Sequence, residues 1–307
     1  MSVPQHILVL FASDLHGNAS LYENCLALVG ERRPSLLLLG GDLLPNWSPR
    51  EQLLEDQRAF IKSTLWTFLE SVLGLDITIE IGFMLGNEDC QILREGLVPL
   101  SLSRSVHVVQ GEGFTTTSGW TVLGFNAVPE TPFALKDLDR RDRESDPVKY
   151  PHVDAVRSTN SGLEKIAPAE WLDRHGSIAA ELEGLGAVAD PRRTIFVSHS
   201  PPYDTPLDMM MDGSHVGSRS IRSYIEVNQP LVSLHGHIHE SFHQTGKYAC
   251  RLGDTVCFNP GQIHPPALDA VVFHTSDPWR YHEHTAGPGS PTQAGLEMLP
   301  LRFRKQG

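Results

Sequence analysis

Short apolar runs and helical stripes alternate along the chain. The apolar runs are typical of strands buried on both faces, and five of them lie at 7–12, 36–39, 77–85, 194–197 and 231–234. Between the first two, Leu21, Cys25 and Val29 share one helical face. This strand–helix–strand order predicts a parallel pair of strands with a right-handed crossover.

The rest of the chain gives weaker patterns. A second helical stripe covers about 50–73, and shorter strands are predicted at 105–109, 114–117, 121–125, 255–258 and 270–273. The dense mixed-charge run 136–144 predicts a mostly solvated insertion at about 130–190. Residues 276–307 are rich in Pro, Gly, Ser and Thr, which predicts a loosely ordered C-terminal tail. We therefore expect a single domain over residues 1–275.

Composition excludes some classes of protein. Of 307 residues, 40% are hydrophobic and 20% are charged, which is ordinary for a soluble globular protein. The formal charge of −12 argues against strong binding to nucleic acid or to an anionic membrane. The four cysteines form no Cys-x-x-Cys motif, and no signal peptide or membrane span is visible. We expect a cytoplasmic protein of unknown oligomeric state.

Five predicted strands end in side chains that can bind hard or borderline metal ions. These side chains are Asp14 with His16, then Asp42, Asn87, His199, and His237 with His239. Ligands of open α/β sheets bind beyond the carboxyl ends of the strands, so we expect these groups to converge. Taken singly, the aspartates and the asparagine also suit turns or helix caps, and each histidine also suits a hydrogen-bonded loop.

Taken together, these motifs resemble those of the calcineurin-like metallophosphoesterases. The matching motifs are Asp14-x-His16, Gly41-Asp42, Gly86-Asn87, His199 and Gly236-His237-x-His239, and the resemblance covers roughly residues 5–262. It implies an α/β fold of four layers, α/β/β/α, in which two mixed sheets pack face to face with helices outside. The expected single domain would then be a metallophosphoesterase domain.

The resemblance also implies a site for two metal ions. Asp14, His16 and His239 would hold the first ion. Asn87, His199 and His237 would hold the second, and Asp42 would bridge both. These ligands suit divalent or trivalent Mn, Fe, Zn, Co or Ni, of which we favour Mn. Two such ions, about 3.5–4 Å apart, would let a bridging hydroxide attack phosphorus in line, which makes Asp42, Asn87, His237 and Glu88 the candidate catalytic residues.

Glu88 is a departure from the family pattern. A histidine commonly follows the asparagine, placed to protonate the leaving group, and here that position is Glu88. A glutamate is usually ionised at neutral pH and cannot donate a proton unless its pKa is raised. Two interpretations stay open: a bias toward leaving groups that need little protonation, such as aryl groups, or a surface glutamate that bonds nearby backbone.

Candidate substrate contacts lie in two places. Lys136, Arg140 and Arg141 are in the insertion, and His215 and Arg219 precede the last metal-binding strand. Arginine matches phosphate oxygens well, although ordinary surface roles stay open for all five. We expect His235 to support the site without binding metal.

The predicted function is that of a metal-dependent phosphodiesterase acting on a nucleotide or other small phosphoester. Two alternatives remain. One is a protein or nucleic-acid phosphatase or nuclease, and the other is a non-catalytic metal-binding scaffold of the same fold. No strong binding to nucleic acid and no membrane association are expected.

Overall fold

One six-stranded sheet contains the first strands of the chain. The computed structural model describes residues 5–97, 105–111, 113–263 and 265–285. In spatial order the strands of this first sheet are β16 (His282–His284), β15 (Ala270–His274), β1 (Leu8–Ala12), β2 (Leu36–Leu39), β3 (Glu80–Phe83) and β4 (Val106–Val108). The strands β1 to β4 are parallel, whereas β15 and β16 run antiparallel to their neighbours.

A second six-stranded sheet is formed mainly by later parts of the chain. In spatial order its strands are β13 (Ala249–Leu252), β14 (Thr255–Phe258), β12 (Val232–Leu234), β11 (Thr194–Ser198), β6 (Thr121–Phe125) and β5 (Gly113–Thr115). The four central strands are parallel, and an antiparallel strand flanks them at each edge. Each sheet is therefore mixed, with a parallel block of four.

Helices cover the outer faces of the sheets. In chain order they are α1 (Ala19–Arg32), α2 (Arg50–Phe60), α3 (Trp66–Leu75), α4 (Arg94–Leu97), α5 (Pro168–His175), α6 (Ile178–Leu185), α7 (Arg219–Asn228) and α8 (Ser241–Thr245). A π-helical turn, Ile61–Leu65, joins α2 to α3. Two small ladders lie in the insertion: β7 (Val128–Pro129) with β8 (Asp139–Arg140), and β9 (Val156–Thr159) with β10 (Gly162–Lys165).

The alternation of side chains along β1 shows how the layers form. Leu10 joins a buried cluster that includes the helices α1 and α3, whereas Phe11 joins a cluster that includes Val197 and Leu234 of the second sheet. Because successive residues of a strand face opposite ways, one strand serves both layers. Phe196 on the far face of the second sheet packs with α6 and α7. The expected four-layer α/β/β/α arrangement is confirmed.

The insertion is less solvated than its sequence predicts. Lys136, Asp137 and Asp139 are buried, whereas Arg143 and Glu144 are exposed. The prediction of a solvated run was wrong for this first part, because its charged groups are paired with each other or hydrogen-bonded inside the fold. The Lys136 ammonium lies 2.7 Å from an Asp139 carboxylate oxygen.

The start of the predicted tail is ordered. Residues 276–285 form a turn and the edge strand β16, which pairs with β15, whereas residues 286–307 lie outside the described part. The division into one domain and a tail stays a prediction. Among the described residues, no helix has the length and apolar character needed to cross a membrane.

Candidate metal centre

The loops that follow β1, β2, β3, β11 and β12 meet at one place. Within the first sheet, the backbone N–H of His16 donates to the Asp42 carbonyl over 2.8 Å, and within the second the N–H of Gly236 donates to the His199 carbonyl over 3.0 Å. The two sheets are joined where the N–H of His237 donates to an Asp14 carboxylate oxygen over 3.0 Å. Residues from distant parts of the chain thus share one pocket.

Two groups of metal-type ligands share one carboxylate. The ligand atoms of the first group lie within 4.8 Å of one another, and this group consists of Asp14, His16, Asp42 and His239. A second group meets the same criterion, and it consists of Asp42, His199 and His237. Asn87 belongs beside the second group, because its side-chain oxygen lies 3.0 Å from Nε2 of His199. Asp42 therefore stands between two possible ion positions.

The hydrogen bonding of His199 leaves its second nitrogen facing only acceptors. Nδ1 of His199 lies 2.8 Å from the Gly40 carbonyl, which can only accept, so Nδ1 carries a proton. Nε2 of the same ring faces the Asn87 oxygen at 3.0 Å and an Asp42 oxygen at 3.3 Å. Three electron-rich atoms in contact require a cation between them, either a proton or a metal ion. Donation of the other ring proton to a carbonyl is the usual arrangement of a metal-binding histidine.

The first group repeats this arrangement. Nε2 of His16 and Nε2 of His239 lie 3.2 Å apart, and the latter also lies 3.2 Å from an Asp14 carboxylate oxygen. Two imidazole nitrogens at this distance cannot both present lone pairs without a shared cation. Both groups therefore fit a bound cation.

The electrostatics of the pocket favour positive charge. Burial lowers the pKa of His199 and of His239, but the carboxylates of Asp42 and Asp14 outweigh it and raise both pKa values to about 9. Burial and the nearby His199 lower the pKa of His237 to about 3, so that ring is neutral and offers a lone pair. Buried carboxylates and imidazoles of this kind suit borderline metal ions, and the residues present fit such ions.

Glycines let the strand ends approach so closely. A Cβ on Gly86 would lie 2.3 Å from an Asp42 carboxylate oxygen, and one on Gly236 would lie 2.4 Å from an Asp14 carboxylate oxygen. Both distances are far below van der Waals contact. Any side chain at these two positions would displace a candidate metal ligand.

Glu88 lies at the edge of the first group. One carboxylate oxygen is 3.4 Å from Nδ1 of His16 and also accepts a hydrogen bond from the Asn46 amide. The backbone N–H of Glu88 donates to an Asp42 carboxylate oxygen over 2.8 Å. Burial, together with the charge of Asp42, raises the pKa of Glu88 to about 7. The side chain is thus close to the centre and shares its electrostatics.

Two supporting residues were missed from the sequence. The buried Asp89 carboxylate accepts hydrogen bonds from the backbone N–H groups of Leu43, Leu44 and Gly86, which ties the Asp42 loop to the Asn87 loop. The Asn259 amide donates to the carbonyls of Gly236 and Ile238 and holds the loop that carries His237 and His239. The Asp of Gly-Asn-x-Asp and the Asn of Asn-Pro-Gly were visible motif signals for these roles.

His235 is fully buried behind the centre. Its Nδ1 lies 3.1 Å from the carbonyls of Ser198 and Ser200, and its Nε2 lies 2.8 Å from the Ser233 hydroxyl. Burial lowers the pKa of His235 to about 4. Both ring nitrogens are used in hydrogen bonds, so neither is left for a metal ion.

The three cationic side chains of the insertion that were predicted as substrate contacts are paired with groups of the protein. Lys136 is 1% exposed, and its ammonium bonds to Asp139 and to the Thr131 carbonyl, so we correct the prediction that it contacts substrate. Nε of Arg140 lies 2.6 Å from a Glu181 oxygen, while Nη1 bonds two backbone carbonyls. Arg141 pairs with Asp173. All three cations are committed to holding the insertion together.

His215 lies on the loop before α7, and Arg219 is the first residue of that helix. Nδ1 of His215 lies 2.7 Å from a carboxylate oxygen of the buried Asp208. The exposed Arg219 guanidinium lies 4.6 Å from the centre of the Tyr203 ring, and the His215 ring lies 5.9 Å from the same ring. The Leu207 carbonyl, next to Asp208, accepts from the Asn259 amide that also holds the His237 loop. This loop therefore packs against the support of the metal centre.

Comparisons with known proteins find a family model and a relative that this chain resembles. The family model described as calcineurin-like phosphoesterase matches residues 7–241. The uncharacterized protein MJ1162 of Methanocaldococcus jannaschii is 38% identical over 80 residues, which are 25% of this chain and only 34% of that protein. The match thus spans about a third of the length of this curated relative.

Solved structures show the same fold. The protein TT1561 of Thermus thermophilus is 16% identical with a TM-score of 0.55, over 91% of this chain and 98% of that one. Another crystal structure is 17% identical with a TM-score of 0.61, over 92% of this chain and all (100%) of its own. At these identities the likeness speaks for the fold alone.

Proposed function

The chain belongs to the calcineurin-like phosphoesterase family, whose members are hydrolases of phosphoester bonds, and on that premise we propose that it is a metal-dependent phosphodiesterase. Its substrate would be a nucleotide or another small phosphoester. The observation that carries this proposal is the pair of ligand groups that share Asp42, because a centre of two metal ions suits an in-line displacement at phosphorus.

The proposed ligand roles follow from the groups. The first ion would be held by Asp14, His16 and His239, the second by Asn87, His199 and His237, and Asp42 would contact both. Of the metals that suit these ligands we favour Mn. When bound, the two ions would supply Lewis-acid activation of the phosphoryl group and of the attacking water.

The chain's own contribution is orientation. One Asp42 oxygen accepts from the Glu88 N–H, and the other faces His199. Asp14 accepts from the His237 N–H while it also contacts the His239 ring. Each carboxylate is thus held by a group from another loop, so the site is preorganised and little ordering is left for the reaction itself.

Glu88 supports a preference for good leaving groups. Its carboxylate accepts from Asn46 and lies beside His16. The positive charge of two bound ions would lower the raised pKa of Glu88 again, which keeps the carboxylate ionised and without a proton to donate. We propose that the enzyme favours esters whose leaving group needs little protonation, such as aryl phosphodiesters. His215 and Arg219 are the proposed phosphate contacts, because the Arg219 guanidinium is exposed and its cation–π contact with Tyr203 leaves its N–H groups available.

A substrate panel tests the proposal. The protein would be assayed with Mn on aryl phosphodiesters, phosphomonoesters, cyclic nucleotides and dinucleotides, beside an Asp42→Asn variant. We expect turnover of aryl phosphodiesters that is lost in the variant. Turnover of monoesters alone would favour the phosphatase alternative, and bound metal without any turnover would favour the scaffold.

A further inference from the structure

We propose that Trp47 forms a stacking subsite for an aromatic group of the substrate, which narrows the substrate class to aryl or nucleoside phosphoesters. This inference rests on the proposed function, because the subsite borders the proposed metal centre. Trp47 is 64% exposed, the most exposed aromatic side chain of the part of the chain that the structure describes. Burial would stabilise an indole, so its exposure here does not serve folding.

The segment that precedes Trp47 runs along the rim of the metal centre. It begins at Asp42, and the Leu43 carbonyl accepts from the Gly17 N–H, one residue past His16. Pro45 packs so closely on Gly17 that a Cβ there would lie 2.7 Å from the proline ring. The loop thus follows the loop of the first ligand group, residue by residue.

The residue next to Trp47 contacts the rim of the centre through Glu88. The Asn46 amide donates to the Glu88 carboxylate, which lies 3.4 Å from Nδ1 of His16. Adjacent Cα atoms are about 3.8 Å apart, so the indole of Trp47 starts one residue away from this chain of contacts. The proposed subsite is the space between this indole and the rim that Asn46 and Glu88 form, where a group attached to a bound phosphoryl would lie.

The loop is also held rigidly. Leu43 and Leu44 are fully buried, and their N–H groups both donate to Asp89. The Pro45 carbonyl accepts from Gln57 over 2.9 Å, and on the far side the Ser48 hydroxyl donates to Asp56. An exposed ring on an anchored loop loses little freedom when it stacks, which makes it an efficient binding surface.

Aromatic stacking is the chemistry that fits this position. An exposed indole face binds a flat aromatic group through dispersion and burial of apolar area, and it tolerates many different rings. This stacking agrees with the preference for aryl leaving groups that we propose for Glu88. It predicts that Trp47 discriminates between aromatic and alkyl esters of the same phosphoryl group.

Two non-hydrolysable probes separate this inference from the proposed function. Phenylphosphonate and methylphosphonate carry the same phosphoryl group, and their binding to the Mn-loaded full-length protein can be measured by calorimetry even if no turnover is found. We expect Trp47→Ala to weaken phenylphosphonate roughly tenfold and to leave methylphosphonate unchanged. Trp47→Phe should keep most of the affinity.

Trp66 provides the matched control. It is a second exposed tryptophan, 40% exposed, at the start of α3 in the outer helix layer. Trp66→Ala should change the binding of neither probe. The inference is overturned if Trp47→Ala weakens both probes equally or neither, or if Trp66→Ala has the same effect. If the wild-type protein shows the stacking preference but hydrolyses no phosphoester, the proposed function is refuted and the stacking subsite stands.

Discussion

Backbone strain is concentrated at the candidate metal ligands. Among the described residues, seven non-glycine positions have positive φ, and four of them are Asp14 (59°), His16 (44°), Asp42 (51°) and His237 (65°). A left-handed backbone costs a non-glycine residue about 1–3 kcal/mol and persists only where the surroundings enforce it. The hydrogen bonds between the loops enforce it here. The fold is therefore less stable at these positions than it could be, because the site needs this backbone geometry.

Glu88 is the residue to which we assign the preference for leaving groups. We expect Glu88→His to raise kcat/KM for phosphodiesters with alkyl leaving groups by about tenfold or more, because an imidazole can protonate a poor leaving group. Aryl phosphodiesters, which need little protonation, should change by less than about threefold. The measurement is kcat/KM over a series of leaving groups of increasing pKa.

The conservative variant separates chemistry from structure at this position. Glu88→Gln keeps the size of the side chain and can still contact Asn46, so it should leave the dependence on leaving group unchanged. Equal gains of Glu88→His on all substrates would contradict the interpretation of Glu88 as the cause of a leaving-group preference.

At the scale of elements, the apolar runs predicted the central strands. The runs at 36–39 and 194–197 correspond to β2 and β11, since strands covered on both faces carry a continuous signal. The strand β13 was missed, because an edge strand such as Ala249–Leu252 is only partly buried and gives no such run. The ends of β1, β2, β3, β11 and β12 could be predicted to converge, but their contacts with Asp89 and Asn259 depend on tertiary structure.

The close approach of strand ends can be tested with one glycine. We expect Gly86→Ala to displace Asp42, lowering the retention of metal and reducing kcat at least about tenfold, and to destabilise the fold by about 1–3 kcal/mol. Gly74→Ala is the control, because its Cβ would meet nothing within 4 Å on helix α3. That variant should keep its metal and its kcat, and its free energy of unfolding should be unchanged or up to about 1 kcal/mol higher. Full activity of Gly86→Ala would show that this approach is not required.

At the scale of the whole molecule, the site lies between the two sheets and takes ligands from both. The order of the motifs along the chain was therefore more informative about the site than the pattern of any single strand. The insertion shows the opposite case. Its charged residues suggested solvation, but Lys136 and Asp139, three residues apart, bury each other's charge, and such pairing is not visible in the sequence.

This buried pair gives a prediction for stability. We expect Lys136→Met to lower the free energy of unfolding by about 3–5 kcal/mol, because it leaves the Asp139 carboxylate buried without its partner. Lys165→Met, at an exposed ion pair, should change it by less than about 1 kcal/mol. Chemical denaturation measures both. At temperatures where Lys136→Met is folded, KM should match the wild type, and a large rise in KM would restore Lys136 as a substrate contact.

The metal content of the wild-type protein and of Asp42→Asn tests the central claim most directly. After loading with Mn and removal of free metal, elemental analysis should find about two ions per wild-type chain. Asp42→Asn, with an unchanged circular dichroism spectrum, should keep at most one, because Asp42 is the carboxylate common to both ligand groups. A folded wild-type protein without metal, or a variant that still retains two ions, would contradict the account.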